Sequence, residues 1–504
     1  MGIENFHTWL KKTYPGSFMP IRFHVKYDNI YIDINHILHH SIRGVRNKKE
    51  FVDKFYNALD IIFNNFFATK KIVLAVDGTS PYSKVILQRK RRLQSVKNLN
   101  LNKLNSLELT PGTDLMRTVD FCLKDYANRL TNNYHILKPQ IIVLTANYPD
   151  EGEIKIFKYI RENMSNLNES HLVVGNDADL VVLAMSSKPI YNINMLIRYM
   201  DSLELVSIKK LIDDYTSLMN LNFNQISNKN SIYNSDIRSD FVIVSIMYGN
   251  DYIPKLRYVK LEMLWDAYKE TVSSISNNTC EILINIPNIQ KKSDSNNTLI
   301  KDLNFNKSFL INFMINIIRR LSPSYRKPNL NDYNEKNVVN YLEGLLWCLH
   351  MYQTGVCSMY NYIYNGEQSP SPNEILYYLL FNTNVTINVP KSNVPPLSAS
   401  YYSLLLMPYN AKQLVPKQYH FLMDDKLKYI YDKELCKECN DYKSRLSVEH
   451  KKLKKTPDDE LIKENIGFIS KKLSDHTKAS HGRDFNIDDI NNIINTVKKY
   501  VKKN

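Results

Sequence analysis

Carboxylates close a succession of apolar runs in the first half of this 504-residue sequence. Asp33 ends "YIDIN" and Asp77 ends "KIVLAVDG". Glu151 and Glu153 stand in "YPDEGEIKI", Asp177 and Asp179 in "GNDADL", and Asp251 in "YGNDYIP". A single acid in such a place is an ordinary turn former or helix N-cap. Several acids delivered to one sheet edge repel one another unless cations bind between them. Carboxylate-rich sites with room for water suit Mg²⁺ or Mn²⁺ rather than Zn²⁺. Two such ions about 4 Å apart activate a water and stabilise the leaving oxygen of a phosphodiester.

Directly after Asp77 comes "SPYSKVILQRKRRL", Ser80 to Leu93, which carries Lys84, Arg89, Lys90, Arg91 and Arg92. On a helix that begins after Pro81, Lys84, Gln88, Arg91 and Arg92 share one face at i, i+4, i+7 and i+8. Such a face can hold a phosphate, with arginine supplying fork-shaped donors. A solvated charged helix or a nuclear-localisation run would have the same composition. The position beside Asp77 favours the phosphate.

These residues need a scaffold that brings them together. "NIYIDIN" (Asn29–Asn35), "KIVLAVDG" (Lys71–Gly78), "QIIVLTANYP" (Gln140–Pro149) and "HLVVGNDADL" (His171–Leu180) are short, β-branched and closed by polar residues or Gly, so each predicts a buried strand. Helical patterns such as "KKEFVDKFYNALDIIFNNFF" lie between them. Strand–helix alternation predicts an α/β fold with a largely parallel central sheet, and ligands of such sheets bind at the carboxyl ends of the strands. A polar stretch at 271–306 predicts a linker or insertion. The segment 307–425 begins helical and becomes loop-rich and Pro-bearing from Gln368 to Pro416. The tail, 426–504, predicts basic helices, and Ile490, Ile493, Ile494, Val497 and Val501 form a helical stripe that predicts a docking face.

Hydrophobic content of 43% and charged content of 23% are those of a globular protein. No apolar run is long enough to span a bilayer. The start, "MGIENFHTWLKKTYP", has no apolar core of a secretory signal, and Phe6 breaks the myristoylation pattern. A net charge of +15 points to a polyanionic partner. The six cysteines are sparse and irregularly spaced, as in a reducing compartment. Cys436 and Cys439 form a C-x-x-C with His450 beyond, but no second ligand pair at zinc spacing is visible, so an incidental pair is the default. The richness in Asn, Lys, Ile and Tyr fits an AT-rich genome, that of a virus or a reduced eukaryote.

Taken in order, the motifs resemble the Xrn family of 5′→3′ exoribonucleases, relatives of the flap endonucleases. The resemblance rests on "MGIENFHTWLKKTYP", "YIDINHILH", "AVDGTSPYSKVILQRKRR", "LTPGTDLM", "DEGEIKI", "GNDADLVVLAM" and "DFVIVSIMYGNDYIPKL". "YLEGLLWCLHMYQTGVCS" and "LLLMPYNAKQLVPKQYHFLM" resemble the family's second conserved block. It covers roughly residues 1–425. It implies a sheet of the PIN/flap-nuclease type at 1–270 and a mostly helical second block at 307–425. It also implies that Asp33, Asp77, Glu151, Glu153, Asp177, Asp179 and Asp251 hold two Mg²⁺ or Mn²⁺ ions. Lys84, Gln88, Arg91 and Arg92 match a pocket for a 5′-monophosphate, and His39 matches a histidine that stacks on the terminal base.

Three departures stand out. The family's "GEGEHK" reads "DEGEIK", which changes Asp150 and Ile154. Its "SWxWYYP" reads "SMYNYIY", with Met359 and Asn361 in place of tryptophans; strand alternation would put Tyr360, Tyr362 and Tyr364 on one face. The large C-terminal extensions of the cytoplasmic member and the zinc knuckle of the nuclear type have no counterpart. The expectation is a monomeric cytoplasmic exoribonuclease that acts on 5′-monophosphorylated RNA and releases mononucleotides, with protein partners reached through the 426–504 tail. A flap-type structure-specific DNA nuclease and a non-catalytic RNA-binding subunit are the alternatives. Retention of all seven acids disfavours the second, and the second block disfavours the first.

Overall fold

The computed structural model describes residues 2–96, 103–133, 138–176, 179–187, 189–199, 202–219, 233–275, 282–285, 303–327, 333–382, 387–454, 456, 459–481 and 485–501. The chain forms two compact units. The first joins Met1–Lys84 with Val119–Leu397, and the second joins Val85–Thr118 with Ser398–Asn504.

The first unit is built on a seven-stranded sheet: β1 (Phe18–Met19), β2 (Val25–Asp33), β3 (Phe66–Ala75), β4 (Gln140–Leu144), β5 (His171–Gly175), β6 (Ile193–Tyr199) and β7 (Ser202–Ser207). The spatial order is β1-β7-β6-β5-β2-β3-β4. The five strands from β6 to β4 pair in parallel. β7 and β1 extend that edge antiparallel. The largely parallel α/β architecture expected from the four apolar runs is present. The antiparallel edge was not read from the sequence. β6 and β7 are joined by only two residues, Met200 and Asp201, which lack the Asn-Gly or Asp-Gly signature of tight hairpins.

The chain runs β2 to β3 to β4 outward in one direction. It then returns to place β5 on the other side of β2. Strand order therefore reverses between β2 and β5, the position at which open α/β sheets form a crevice beyond their carboxyl ends. Asp33 is the last residue of β2, and Asp77, Glu151 and Asp179 follow β3, β4 and β5.

Helices α1 (Phe6–Thr13), α2 (Ile34–Ser41), α3 (Lys48–Asn65), α4 (Tyr82–Ser95), α5 (Asp114–Asn133), α6 (Gly152–Asn163) and α7 (Asp179–Ser186) follow in chain order. α3 buries Phe51, Phe55, Leu59 and Phe63, an i, i+4, i+8, i+12 stripe that its sequence announces. α1 packs through an aromatic cluster in which Trp9 stacks on Trp265 at 4.9 Å and Phe6 meets Phe241. That packing fixes α1 against the helices Tyr233–Ile246 and Leu261–Ile275. The helix Glu335–Thr354 is buried on most sides and supplies Trp347, Cys348 and Tyr352 to the core. Among the described residues no helix is long and apolar enough to cross a membrane.

The segment from Gln368 to Pro416, expected to be loop-rich, contains helices at Pro372–Phe381 and Ala399–Leu406. The first has a legible start: Ser371 and Glu374 form a reciprocal capping box with Pro372 at the first helical position. In the second unit the C-terminal helix Ile487–Tyr500 buries Ile490, Ile493 and Val497 and contacts Ala399–Leu406. The apolar stripe of the tail is thus satisfied within that unit.

Candidate active site

Asp33 does two jobs at the end of β2. Its carboxylate caps α2 by accepting from the Asn35 amide at 3.1 Å, and it stays buried beside the strand ends. Asn35 reaches across to accept from the Asp77 amide at 3.3 Å. Asp77 in turn accepts from the Gly152 amide at 2.7 Å, at the first residue of α6. The N-terminus of a helix favours a carboxylate there through its unpaired N–H groups and its dipole. A charge-assisted bond of this type contributes about 1.5–3 kcal/mol. Gly152 cannot carry a side chain: a Cβ there would sit 2.9 Å from Asp33 Oδ1 and 3.4 Å from Asp77 Oδ1. The glycine of "DEGEIKI" is therefore where the first two acids close on the third strand's loop.

Glu151 precedes α6 and is buried. One carboxylate oxygen lies 2.5 Å from Lys84 Nζ, and the other accepts from the Tyr252 hydroxyl at 2.5 Å. Lys84 Nζ also lies 3.0 Å from Asp251 Oδ2. Burial opposes the charge on Lys84, but Glu151, Asp251 and Asp77 outweigh it and hold the ammonium well above the usual lysine range. Burial pushes the Glu151 carboxyl up, and Lys84 pulls against that shift. Asp251 is aimed by its neighbour: Asn250 Oδ1 accepts from the Tyr252 and Ile253 amides at 2.9 and 2.8 Å, which tightens the loop.

Asp179 opens α7 and accepts from the Ile3 amide at 2.9 Å. Gly2, at φ +105°, lies so near the Asp179 carboxylate that a Cβ could not fit. Gly2 and Ile3 thus fold onto an acid. Glu153 lies in the first turn of α6. The Tyr352 hydroxyl is held neutral, first by burial and then by Cys348 and by the negative charges of Asp179, Glu151 and Glu153. That places these three acids in one electrostatic neighbourhood. Asp177 lies outside the described residues. Among the described residues, no three carboxylates have oxygens all within 4.8 Å of one another. Lys84 instead bridges two of them, Glu151 and Asp251.

The remaining sequence candidates are placed as follows. α4 forms as expected after Pro81. In the second unit, Gln88 accepts from the Tyr402 hydroxyl at 3.3 Å. Arg92 donates from Nε and Nη2 to Thr110 Oγ1, at 3.0 and 2.8 Å. Thr110 belongs to "LTPGTDLM", and its own hydroxyl donates to Leu107 O. Arg91 is half-buried. Arg89, in the same basic run, is a structural residue: it is buried, donates to Leu405 O at 2.9 Å and pairs with Glu434 at 2.9 Å. His39 is exposed in the last turn of α2, which Asp33 begins.

Sequence reasoning missed Lys155. It is buried on α6 and donates to Val76 O at 2.7 Å and Thr145 O at 3.0 Å, tying the ends of β3 and β4 together. Burial brings its pKa down to about 8, against the pull of Asp77, Asp150 and Asp120. The lysine of "EGEIK" carries no local signal for this task. Tyr252, Tyr352 and Asn250 were missed for the same reason.

Two departures from the family pattern have local explanations. Asp150, where the family has glycine, sits at φ +73°, a left-handed conformation that glycine adopts freely. Its carboxylate accepts from the Tyr360 hydroxyl at 3.0 and 3.2 Å. Asp150→Ala and Asp150→Gly both lose that acceptor, but only alanine keeps a Cβ at positive φ. Alanine should therefore be the less stable of the two by about 1 kcal/mol or more. Equal denaturant midpoints would contradict this account of the backbone. Ile154 is simply core, 3% exposed.

Residues 358–365 are not a strand, which corrects the alternation expected of the tyrosines. Tyr360 bonds Asp150, Tyr362 is buried and stacks on Trp347 at 4.7 Å, and Tyr364 bonds Asn337. The segment has no ladder; Asn361 instead accepts from Ser392.

Comparison with known proteins finds a family model for the N-terminal region. Residues 1–197 match the model for "XRN 5'-3' exonuclease N-terminus". The chain is 27% identical to the 5'-3' exoribonuclease 2 of Arabidopsis thaliana, over 38% of this chain and 25% of that protein. It is also 27% identical to the 5'-3' exoribonuclease 1 of Saccharomyces cerevisiae, over 51% of this chain and 19% of that protein. The matched region thus spans a quarter or less of these two relatives. The solved catalytic core of Rad2 in complex with DNA substrate aligns with a TM-score of 0.30 and 14% identity, covering 51% of this chain and 67% of that one.

Proposed function

We propose that this chain, which belongs by its N-terminal region to the XRN 5'-3' exonuclease family, degrades RNA stepwise from a 5′-monophosphate end and releases nucleoside monophosphates. The observation that carries the proposal is the gathering of Asp33, Asp77, Glu151 and Asp251 around Gly152 and Lys84 at the carboxyl ends of the parallel strands. Asp33, Asp77, Glu151, Glu153, Asp177, Asp179 and Asp251 are the residues we assign to two Mg²⁺ or Mn²⁺ ions. Such ions, when bound, supply an activated water and stabilise charge on the leaving oxygen.

The chain's own residues bind and orient the substrate. Lys84, Gln88, Arg91 and Arg92, all on α4, are assigned to the 5′-phosphate, with donors suited to its oxygens. Lys84 also relieves repulsion between Glu151 and Asp251 when the cations are absent. His39 is assigned to stacking on the terminal base, an interaction that contributes about 1–3 kcal/mol. RNA as the partner, a monomeric state and a cytoplasmic location belong to the same proposal.

The test sets RNA against DNA. In Mg²⁺ the chain should digest a 5′-phosphorylated RNA and leave a DNA of equal length bearing a 5′ flap uncut, and EDTA should stop digestion. Cleavage of the flap with the RNA untouched would replace the proposal by a structure-specific DNA nuclease. Binding of RNA without cleavage in either Mg²⁺ or Mn²⁺ would leave a binding subunit.

A further inference from the structure

The expected C-x-x-C has a partner, and it is not His450. Cys436 is the N-cap of the helix Lys437–Leu453, and its sulfur accepts from the Cys439 amide at 3.5 Å. Beginning a helix with C-x-x-C turns both sulfurs toward one point. His476, on the helix Glu460–His481, brings Nε2 to 3.4 Å from Cys436 Sγ. The ligand atoms of Cys436, Cys439 and His476 all lie within 4.8 Å of one another, the one such group among the described residues. His450 lies in the last turn of the first helix, eleven residues beyond Cys439 and so about 16 Å along the axis.

Two details go beyond proximity. In a tetrahedral zinc site, bond lengths of about 2.3 Å to sulfur and 2.0–2.1 Å to nitrogen put the ligand atoms about 3.5–3.8 Å apart. The sulfur–nitrogen distance of 3.4 Å is just short of that range, so a small movement would seat the ion. The other ring nitrogen of His476, Nδ1, lies 3.3 Å from Glu438 Oε2. A carboxylate at that position fixes the tautomer and aims the opposite nitrogen as a ligand, the usual outer partner of metal-bound histidine. Cys439 is fully buried and Cys436 partly so, which shields the sulfurs from bulk oxidant.

We propose that Cys436, Cys439 and His476 bind one Zn²⁺ ion that clips together the helices Lys437–Leu453 and Glu460–His481. Three protein donors leave a fourth position for water. The site uses soft ligands in the second unit and none of the acids assigned to Mg²⁺ or Mn²⁺, so its role is separate from theirs and lies in joining the two helices. Because the two helices meet across a connection of few residues, the ion stabilises the tail by adding its binding free energy to that of folding.

The experiment measures metal content of the full-length chain, so its outcome does not depend on the nuclease assignment. Reduced protein is incubated with zinc, passed through gel filtration in excess Mg²⁺ and analysed by mass spectrometry of the elements. The parent and His450→Ala should carry close to one zinc per chain. The double variant Cys436→Ser/Cys439→Ser, and His476→Ala, should carry almost none while keeping the parent's circular dichroism. With Co²⁺ in place of zinc, the parent and His450→Ala should show a thiolate-to-metal charge-transfer band, and the double cysteine variant should not. Zinc retained by the double variant would place it elsewhere, at the acid cluster for instance, and overturn the proposal. A parent that takes up no zinc after reduction, or a Cys436–Cys439 disulfide in its place, would overturn it equally. Should a variant lose its circular dichroism, the parent's cobalt band still decides.

Discussion

Asp177→Asn/Asp179→Asn should abolish RNA hydrolysis in a chain that remains folded. Two of the seven assigned ligands lose their charge, while the amide keeps an oxygen for the hydrogen bond that Asp179 accepts from Ile3. Asparagine is preferable to alanine on this ground, because loss of the tether would confuse a structural effect with a chemical one. Removing like charges from a crowded carboxylate site relieves repulsion and does not threaten the fold. The rate should fall at least about a thousandfold, equivalent to about 4 kcal/mol of transition-state stabilisation. EDTA should do the same to the parent, and added Mg²⁺ or Mn²⁺ should reverse it. The measurement is single-turnover digestion with an unfolding curve alongside. A double variant within tenfold of the parent would remove these residues from the metal assignment.

Arg91→Ala should cost about 1.5–3 kcal/mol of binding in the transition state, roughly ten- to a hundredfold in rate, on RNA that bears a 5′-monophosphate. The parent should digest that RNA quickly and capped, triphosphorylated or 5′-hydroxyl RNA slowly. The variant should narrow this difference, because the lost contact is to the end group itself. Lys90→Ala provides the control. It removes the same charge from the same helix, at an exposed residue outside the assigned four. Its effect should stay within about 0.5 kcal/mol. Equal rates for the parent on all four ends would contradict the pocket and indicate internal cleavage.

Much of the α/β unit was readable because its strands are buried on both faces. "YIDIN", "KIVLAVDG" and "HLVVG" are continuous β-branched runs, and the acids at their ends mark where each strand stops. The crevice follows from that alternation and from the reversal of strand order between β2 and β5. What escaped depended on contacts between residues distant in sequence. Lys155 looks like any charged residue of an amphipathic helix, yet it is sealed against two strand-end carbonyls.

The tyrosines at 360, 362 and 364 alternate as a strand would, and each instead bonds or stacks with a different element. Asp150 departs from the family's glycine, and only its backbone angle shows what that glycine provides. His476 stands 37 residues after Cys439, on another helix, beyond the spacing by which zinc motifs are recognised. The strand expected of the tyrosines was wrong, and in each of these cases the partner could be found only in three dimensions.

The most direct measurement of the central claim follows two labels on one 5′-monophosphorylated, unstructured RNA in Mg²⁺. One label is placed in the first nucleotide and the other in the last. A 5′→3′ exoribonuclease releases the first label as a mononucleotide from the earliest time points. The last label stays in long RNA until digestion is nearly complete, and no internal fragments accumulate. Release of the 3′ label first, or internal fragments carrying either label, would contradict the account.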